Sequence, residues 1–355
     1  MNKRKAYLDW LRVIAIALVI YNHLPAYALC EENGTGQLFY GFLAAVTRMN
    51  VPLFLMVSGA LLLNRDEDLR TLLKKRVLRF AAVIALFYTG LYLLSLLHDT
   101  ILHGTAFAFS PKELIYGLFS RSLIPRVAGP YWYLYAYLGY LLMLPFLRSI
   151  ARGMQKSHFM LLLVLHAAVF TVLPLTNLLL SACGAQPLTP TADFSIPLAV
   201  THVIFYPLVG YWLEHRTDAA ALSRKQLAVL IAASLAGLAG ADMLYCKTGS
   251  AGALSMFDWV AAMTVFLLVK HTTLARDPGK EAEKPSRLIR TISTCTFGIY
   301  LLDPYLKLIL FGAYYKFASR LPELLSSLIW IPISIAVCSG LTWLLKKLPG
   351  FRKLL

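Results

Sequence analysis

The sequence predicts an all-α integral membrane protein, and three observations of composition and pattern lead to this fold class. Of its 355 residues, 58% are hydrophobic and only 15% are charged, whereas soluble globular domains carry roughly 25% charged residues. Ten stretches are apolar over about the 20 residues that a helix needs to cross a bilayer. The polar segments between them alternate in positive charge. High hydrophobicity excludes a disordered chain, and the low charge argues against a soluble enzyme.

The ten predicted spans leave no polar segment long enough for a soluble domain, so we expect residues 1–355 to form a single transmembrane domain. The predicted spans are residues 8–29, 38–63, 78–97, 131–150, 159–180, 196–213, 226–246, 253–274, 291–313 and 322–346. The longest external segment, residues 98–130, is expected to form a short amphipathic helix on the surface or to cap a cavity.

The distribution of basic residues predicts that both termini are cytoplasmic. With a cytoplasmic N-terminus, the cytoplasmic segments hold 25 Lys and Arg, the external loops hold 6, and three more lie inside spans. Such an excess is typical of cytoplasmic loops. The net charge of +16 therefore indicates contact with anionic lipid headgroups rather than with nucleic acid.

Familiar catalytic and metal-binding motifs are missing from the sequence. Its five cysteines include no C-x-x-C pair and no Cys/His cluster at zinc spacing, so no metal is expected. Cys30, Cys183 and Cys246 are expected near helix ends on one side of the membrane, where any two can form a disulfide. Serine hydrolase, P-loop and zincin signatures are also absent.

Two ionisable residues share the first predicted span. Arg12 and His23 are 11 residues apart, which corresponds to about 20° round a helix and about 16 Å along it. Both therefore face the same way, with Arg12 near the cytoplasmic surface and His23 deeper. Ionisable residues inside spans usually mark function, so the pair predicts a cavity lined by both. The alternative is that Arg12 only orients the helix and His23 only packs against a neighbour.

Three ionisable residues are predicted at similar depth. His23, Arg48 and Asp303 all fall about 15–22 Å from the inner face at ~1.5 Å per residue. Asp303 can then hold the imidazole in one tautomer or neutralise Arg48. Lys307 follows Asp303 by four residues, so it either pairs with Asp303 or snorkels to the outer interface.

Basic residues cluster where the third span enters the membrane from the cytoplasm. Lys75, Arg76 and Arg79 lie near the expected N-terminus of this helix, whose backbone N–H groups and dipole favour an anion. Arginine forks suit phosphate oxygens. The cluster therefore predicts a site for a cytosolic nucleotide with several phosphates, and the alternative is contact with lipid headgroups.

Aromatic residues open the fourth predicted span on its outer side. Trp132, Tyr133 and Tyr135 are typical of the aromatic belt at a membrane interface. Aromatic faces also stack on sugar rings. The segment therefore predicts either an interfacial belt or a platform for an acceptor.

Several segments together resemble the acyltransferase-3 family of bacterial membrane proteins. That family carries Arg or Lys, then ten residues, then His in its first helix, which is the spacing of Arg12 and His23. Arg76 and Arg79 match its R-x-x-R motif. The remaining similar segments are 7–12, 51–59, 131–134 and 296–301. One departure is Asp303, where family members often place a histidine.

The resemblance implies transfer of an acyl group, usually acetyl, from cytosolic acyl-CoA to an acceptor outside the bacterial plasma membrane. Typical acceptors are hydroxyl groups of cell-surface glycans. The family implies that His23 is catalytic, that Arg12 supports it, and that Arg76 and Arg79 hold the CoA phosphates. We add Asp303 to the expected catalytic residues. The other expected roles are Lys75 and Arg48 for the donor, and Trp132, Tyr133, Tyr135 and Tyr300 for the acceptor.

The sequence leaves the mechanism and the class of protein open between alternatives. His23 can act as a general base on the acceptor hydroxyl or as a nucleophile that forms an acyl-imidazole. Polar residues at mid-membrane also suit a transporter or exporter of a glycan or an amino acid. A non-catalytic partner in a glycan assembly complex is a third hypothesis. The acceptor, the acyl chain and the oligomeric state are not specified by the sequence.

Overall fold

The computed structural model describes residues 4–29, 37–120, 129–191, 195–249, 252–275 and 286–355. Helices make up 83% of it, and the described residues contain no β-strand. This confirms the predicted all-α class. The α-helices are α1 Ala6–Asn22, α2 Pro25–Ala28, α3 Gln37–Thr47, α4 Asn50–Leu62, α5 Leu69–Leu72, α6 Leu78–His103, α7 Pro111–Ser120, α8 Trp132–Gly153, α9 Lys156–Ala167, α10 Leu173–Ala182, α11 Pro197–Val200, α12 His202–His215, α13 Arg224–Thr248, α14 Asp258–Ala275, α15 Arg287–Ala318, α16 Glu323–Leu345 and α17 Pro349–Leu354.

Among the described residues, seven helical segments are long and apolar enough to cross a membrane, and they coincide with seven of the ten predicted spans. They are Gln37–Leu62, Leu69–His103, Trp132–Gly153, Lys156–Ala182, Arg224–Thr248, Ala253–Leu274 and Glu323–Leu345. The chain is therefore a multi-pass membrane protein.

The other three predicted spans are not among these seven segments, and their helices are shorter, divided or longer than predicted. Helix α1 has 17 residues, and the predicted span 196–213 is divided into α11 and α12 around Thr201. Helix α15 has 32 residues and contains Pro304. The count of ten spans and the cytoplasmic location of both termini stay predictions.

The chain forms two compact units. The first contains Met1–Arg65 and Leu144–Ile289, and the second contains Asp66–Met143 and Arg290–Leu355. The expectation of a single domain over residues 1–355 stays a prediction.

In the first unit, α4 and α12 approach so closely that glycine is required on both sides. A Cβ on Gly59 would lie 2.0 Å from the carbonyl oxygen of Pro207, and one on Gly210 would lie 2.0 Å from that of Met56. Small residues allow such backbone contact between membrane helices. This pair is the central packing of the unit that carries Arg12 and His23.

In the second unit, the chain enters the long third span through a capped turn. The Asp68 side chain accepts a 3.0 Å hydrogen bond from the backbone N–H of Thr71, and this bond lowers the pKa of Asp68. A π-helical turn over Leu73–Val77 then joins α5 to α6. Such turns occur frequently at functional sites, and this one contains Lys75 and Arg76.

Candidate functional site

Arg12 lies beside a buried carboxylate in the first unit. Arg12 Nη1 is 3.6 Å from Asp9 Oδ1, and Asp9 is 1% exposed. Arg4 binds the same carboxylate through hydrogen bonds of 2.7 and 2.8 Å. Because two guanidinium groups share one carboxylate, this end of α1 keeps a net positive charge.

His23 lies where the first helix ends. The backbone of α1 is helical to Asn22, and the N–H of His23 donates to the carbonyl of Ile20 at 3.0 Å. Leu24 precedes Pro25, and a residue before proline is disfavoured in the helical region. The chain therefore leaves the helix at His23. Since α1 is regular up to that point, Arg12 and His23 stay about 20° apart round the axis and about 16 Å apart along it.

The residue before His23 has an unsatisfied polar atom. Asn22 Oδ1 is buried and has no hydrogen-bond partner among the described residues. A buried amide oxygen without a donor is costly, and such atoms in native structures usually meet a water molecule or a ligand. The atom therefore marks a place next to His23 where a group that donates a hydrogen bond is needed. Asn22 was not predicted from the sequence, because the burial of its side-chain oxygen is seen only in the folded structure.

Arg48 faces a carboxylate that the sequence analysis did not select. Arg48 Nη1 donates to Ser255 Oγ at 3.0 Å, and Arg48 Nε is buried without a hydrogen-bond partner in the described part of the chain. Asp258 is 6% exposed, accepts a 3.1 Å hydrogen bond from Tyr206 and interacts electrostatically with Arg48. Pairing between Arg48 and Asp303 stays a prediction.

His166, which lies near Asp258, is a second residue that was not predicted from the sequence. His166 is buried, and its ring stacks on Phe205 with the centroids 3.6 Å apart. His166 Nδ1 is 2.6 Å from the carbonyl oxygen of Ala199. Because a carbonyl only accepts, Nδ1 carries a proton and Nε2 is the basic nitrogen of the neutral ring. A histidine inside a predicted span was the signal that could have found it.

In the second unit, acceptors from the chain itself bind both arginines of the R-x-x-R motif. Arg76 Nε donates to the two carboxylate oxygens of Glu67 at 3.0 and 2.8 Å. Arg79 donates from Nε and Nη2 to the carbonyl oxygen of Leu354 at 3.3 and 3.0 Å. Lys75 is exposed. The three cations are thus close in sequence, and the guanidinium groups of Arg76 and Arg79 are already hydrogen-bonded to acceptors of the chain itself.

The backbone around these arginines differs from the expectation. The helical segment of the third span begins at Leu69, and Asp68 already caps the N–H of Thr71. Arg76 and Arg79 therefore lie two to three turns past the N-terminus at ~3.6 residues per turn. The expectation that unpaired backbone N–H groups would accompany these arginines was wrong, and their side chains alone remain to bind an anion.

The structure brings together three of the four predicted acceptor-binding aromatics. The rings of Tyr133 and Tyr300 have their centroids 5.7 Å apart in an edge-to-face arrangement. Trp132 is 43% exposed and meets Tyr133 edge-on. The Tyr135 hydroxyl donates to the carbonyl oxygen of Leu118 at 2.6 Å, so α7 is tied to α8.

The aromatic start of α8 lies at mid-height of α15. The Tyr131 hydroxyl donates to the carbonyl oxygen of Leu301 at 2.6 Å. Leu301 is about 25 Å from the C-terminal end of α15 at ~1.5 Å per residue. Because Trp132 is also the first residue of α8, the interfacial belt and the acceptor platform both stay predictions.

Asp303 is buried in the second unit and paired. Its Oδ2 is 3.7 Å from Lys307 Nζ, and its Oδ1 accepts a 3.2 Å hydrogen bond from Ser334. Lys307 was predicted either to pair with Asp303 or to snorkel to the outer interface, and the structure shows the pairing. The carboxylate is thus charge-balanced inside a long helix.

Four cysteines of the described chain are free thiols. They are Cys183, Cys246, Cys295 and Cys338. A disulfide between Cys183 and Cys246 is therefore not formed. Cys30 lies outside the described residues, so its pairing stays a prediction.

Comparison with known families decides the membership of the chain. Residues 5–346 match the family model Acyl_transf_3, which is described as an acyltransferase domain. The chain belongs to the acyltransferase-3 family. No curated protein and no solved structure matches the chain significantly. In this acyltransferase-3 protein Arg12 lies on α1, His23 follows its last residue, and the R-x-x-R arginines lie two to three turns into the third span; the family match covers all four residues.

Proposed function

We propose that this acyltransferase-3 protein moves an acyl group, acetyl in the simplest case, from cytosolic acyl-CoA to a hydroxyl group of a cell-surface glycan across the bacterial plasma membrane. The observation that carries the proposal is the geometry of α1, where a cationic end and a terminal histidine share one side of a helix. The family match supports acyl transfer as the reaction class.

The donor is assigned to the basic residues of the second unit. Arg76 and Arg79 present guanidinium groups that suit the phosphate oxygens of CoA, and the exposed Lys75 adds a flexible charge. Glu67 and the Leu354 carbonyl are the groups that phosphates would replace. Arg48 and Arg12 are further cations assigned to the donor side of the reaction.

His23 is assigned to the reacting atoms. As a base, its imidazole takes the proton of the acceptor hydroxyl while the oxygen attacks the thioester carbonyl, the C–S bond breaks, and the CoA thiolate takes up the proton. As a nucleophile, the imidazole nitrogen attacks first, the C–S bond breaks and CoA leaves as the thiolate. The acceptor oxygen then attacks the acyl-imidazole, the C–N bond breaks to restore the imidazole, and the acceptor proton passes to the thiolate. Both routes give the same products.

Asn22 precedes His23 and carries a buried side-chain oxygen. The unsatisfied Asn22 Oδ1 can accept a hydrogen bond from an acceptor hydroxyl. Asn22 is therefore proposed as a residue that orients the acceptor beside His23.

The acceptor is assigned to the aromatic platform. Tyr133, Tyr300 and the exposed Trp132 offer ring faces of the kind that stack on sugars, while Tyr135 holds α7. Asp303, balanced by Lys307, completes the proposed catalytic set as a fixed carboxylate.

The proposal is tested by transfer of label from radiolabelled acetyl-CoA to glycan in proteoliposomes. His23→Ala is expected to abolish transfer but to leave CoA binding intact. His158→Ala removes an exposed histidine and serves as the matched control. Wild-type transfer by His23→Ala would overturn the catalytic assignment.

A membrane transporter or exporter is the second candidate, and one observation favours it. Asp258, Tyr206 and His166 form a buried polar cluster that acyl transfer does not use, and ionisable groups at such depth mark substrate or proton paths in transporters. A transporter predicts substrate flux in liposomes and no affinity for CoA. The acyltransferase predicts CoA binding that weakens at high salt.

A further inference from the structure

Two histidines and an aspartate meet at the far end of the third span. His98, Asp99 and His103 lie in the last two turns of α6, and each offers one ligand atom, with all three atoms within 4.8 Å of one another. His98 Nδ1 is 3.4 Å from Asp99 Oδ1. The rings of His98 and His103 have their centroids 6.2 Å apart. None of these three residues has been assigned a role in acyl transfer.

These distances fit the ligand shell of a small divalent cation. Zinc takes His nitrogen and carboxylate oxygen at about 2.0–2.2 Å in a tetrahedron, which sets neighbouring ligand atoms roughly 3.3–3.5 Å apart. The observed His98–Asp99 separation of 3.4 Å equals one such edge. His103 offers the third ligand atom, which lies within 4.8 Å of the other two.

The electrostatic setting favours a cation at this position. The sequence has no Lys or Arg between Arg79 and Lys112, so no basic side chain close in sequence competes for Asp99. His103 is the last residue of α6, and Gly104 then adopts a left-handed conformation with φ of 65°. The C-terminal end of a helix carries partial negative charge, which adds to the attraction.

We propose that His98, Asp99 and His103 form a binding site for Zn²⁺, with water at the fourth position. The donor set of two imidazoles and one carboxylate suits zinc rather than Mg²⁺ or Ca²⁺, which prefer oxygen ligands. The spacing H-D-x-x-x-H differs from usual zinc motifs, so the sequence analysis expected no metal. All three ligands belong to α6, so the bound ion would stabilise the C-terminal turns of this helix.

The test is direct metal binding by the purified full chain in detergent, after removal of metals with a chelator. Calorimetric titration with ZnCl₂ is expected to show one site per chain, and titration with MgCl₂ is expected to show none. Co²⁺ is expected to give the visible absorption of a tetrahedral site, and Zn²⁺ is expected to remove it.

Variants separate this site from adventitious binding. His98→Ala and His103→Ala are each expected to weaken Zn²⁺ binding at least tenfold, because even residues that only support a metal ligand change affinity by about 10–100-fold. Asp99→Asn keeps the shape and is expected to weaken binding as well. His158→Ala, which removes an exposed histidine elsewhere, is expected to leave it unchanged. Unchanged affinity in His98→Ala and His103→Ala, or loss of binding in His158→Ala, would overturn the proposal.

Discussion

The hydroxyl of Tyr131 is hydrogen-bonded to the carbonyl oxygen of Leu301 at 2.6 Å, and this bond fastens the start of α8 to the middle of α15. Tyr131 is fully buried. The Tyr133–Tyr300 ring contact lies next to this bond in both helices. This buried hydroxyl therefore helps to position the platform proposed for the acceptor, together with the ring contacts around it.

Replacing Tyr131 by Phe removes this hydroxyl and keeps the ring. We expect the free energy of unfolding to fall by about 1 kcal/mol, the usual net value of one buried hydrogen bond. We also expect the KM for the acceptor to rise more than the KM for acyl-CoA. Denaturant titration in detergent and steady-state kinetics measure the two effects. Tyr116→Phe, at a tyrosine that is 65% exposed, should change neither quantity, and equal effects of the two variants would contradict the role of the bond.

Glycine at position 59 is predicted to be irreplaceable. In Gly59→Ala the new Cβ would lie 2.0 Å from the Pro207 carbonyl oxygen, so α4 and α12 must separate. Forcing extra atoms into packed interiors typically costs about 1–3 kcal/mol. Thermal unfolding should show the loss.

The matched substitution is Gly139→Ala in α8, where a Cβ meets nothing within 4 Å. Here the change should be neutral or should stabilise the helix by about 1 kcal/mol. If both variants shift the unfolding temperature in the same direction, the close approach of α4 and α12 is not the cause.

Freeing Arg76 is predicted to tighten donor binding. Glu67→Gln removes the carboxylate that binds Arg76 through two hydrogen bonds, so the guanidinium no longer has to leave an ion pair before it meets phosphate. We expect a several-fold lower Kd for CoA, measured by calorimetry at low salt. Asp66→Asn removes an equal charge one residue away and should have a smaller effect. A higher Kd for CoA in Glu67→Gln would show that Glu67 positions Arg76 rather than competes with phosphate for it.

The Asp303–Lys307 pair is predicted to behave as a unit. Asp303→Asn leaves the Lys307 ammonium buried without its counter-charge, and breaking one side of a buried pair costs about 3–5 kcal/mol. Adding Lys307→Met to Asp303→Asn should restore most of this loss. The four corners of this double-mutant cycle, followed by unfolding in detergent, give the coupling energy. Additive effects of the two substitutions would mean that the 3.7 Å approach contributes nothing.

The sequence predicted the helical class and seven of the spans because burial in lipid imposes a simple requirement on length and hydropathy. It also offered pairing with Asp303 as one of two possibilities for Lys307, since residues four apart on a helix are neighbours, and the structure shows that pairing. These features depend on local pattern alone.

The remaining features depend on contacts between segments that are far apart in sequence. His166 and Ala199 are 33 residues apart, and Arg79 and Leu354 are 275 apart, so no local spacing indicates either pair. The helical segment of the third span begins at Leu69, earlier than the predicted span, because the six Lys and Arg of residues 64–79 are typical of a cytoplasmic loop. Asn22 was overlooked since burial of its oxygen is a tertiary property.

The break in α1 between Asn22 and Pro25 also bears on ion permeability. In lipid, a helix end is tolerated only where protein or an aqueous pocket covers the backbone carbonyl groups. Water that reached His23 would shorten the apolar path that protons have to cross. The residues that cover this helix end therefore also determine how well the membrane stays sealed.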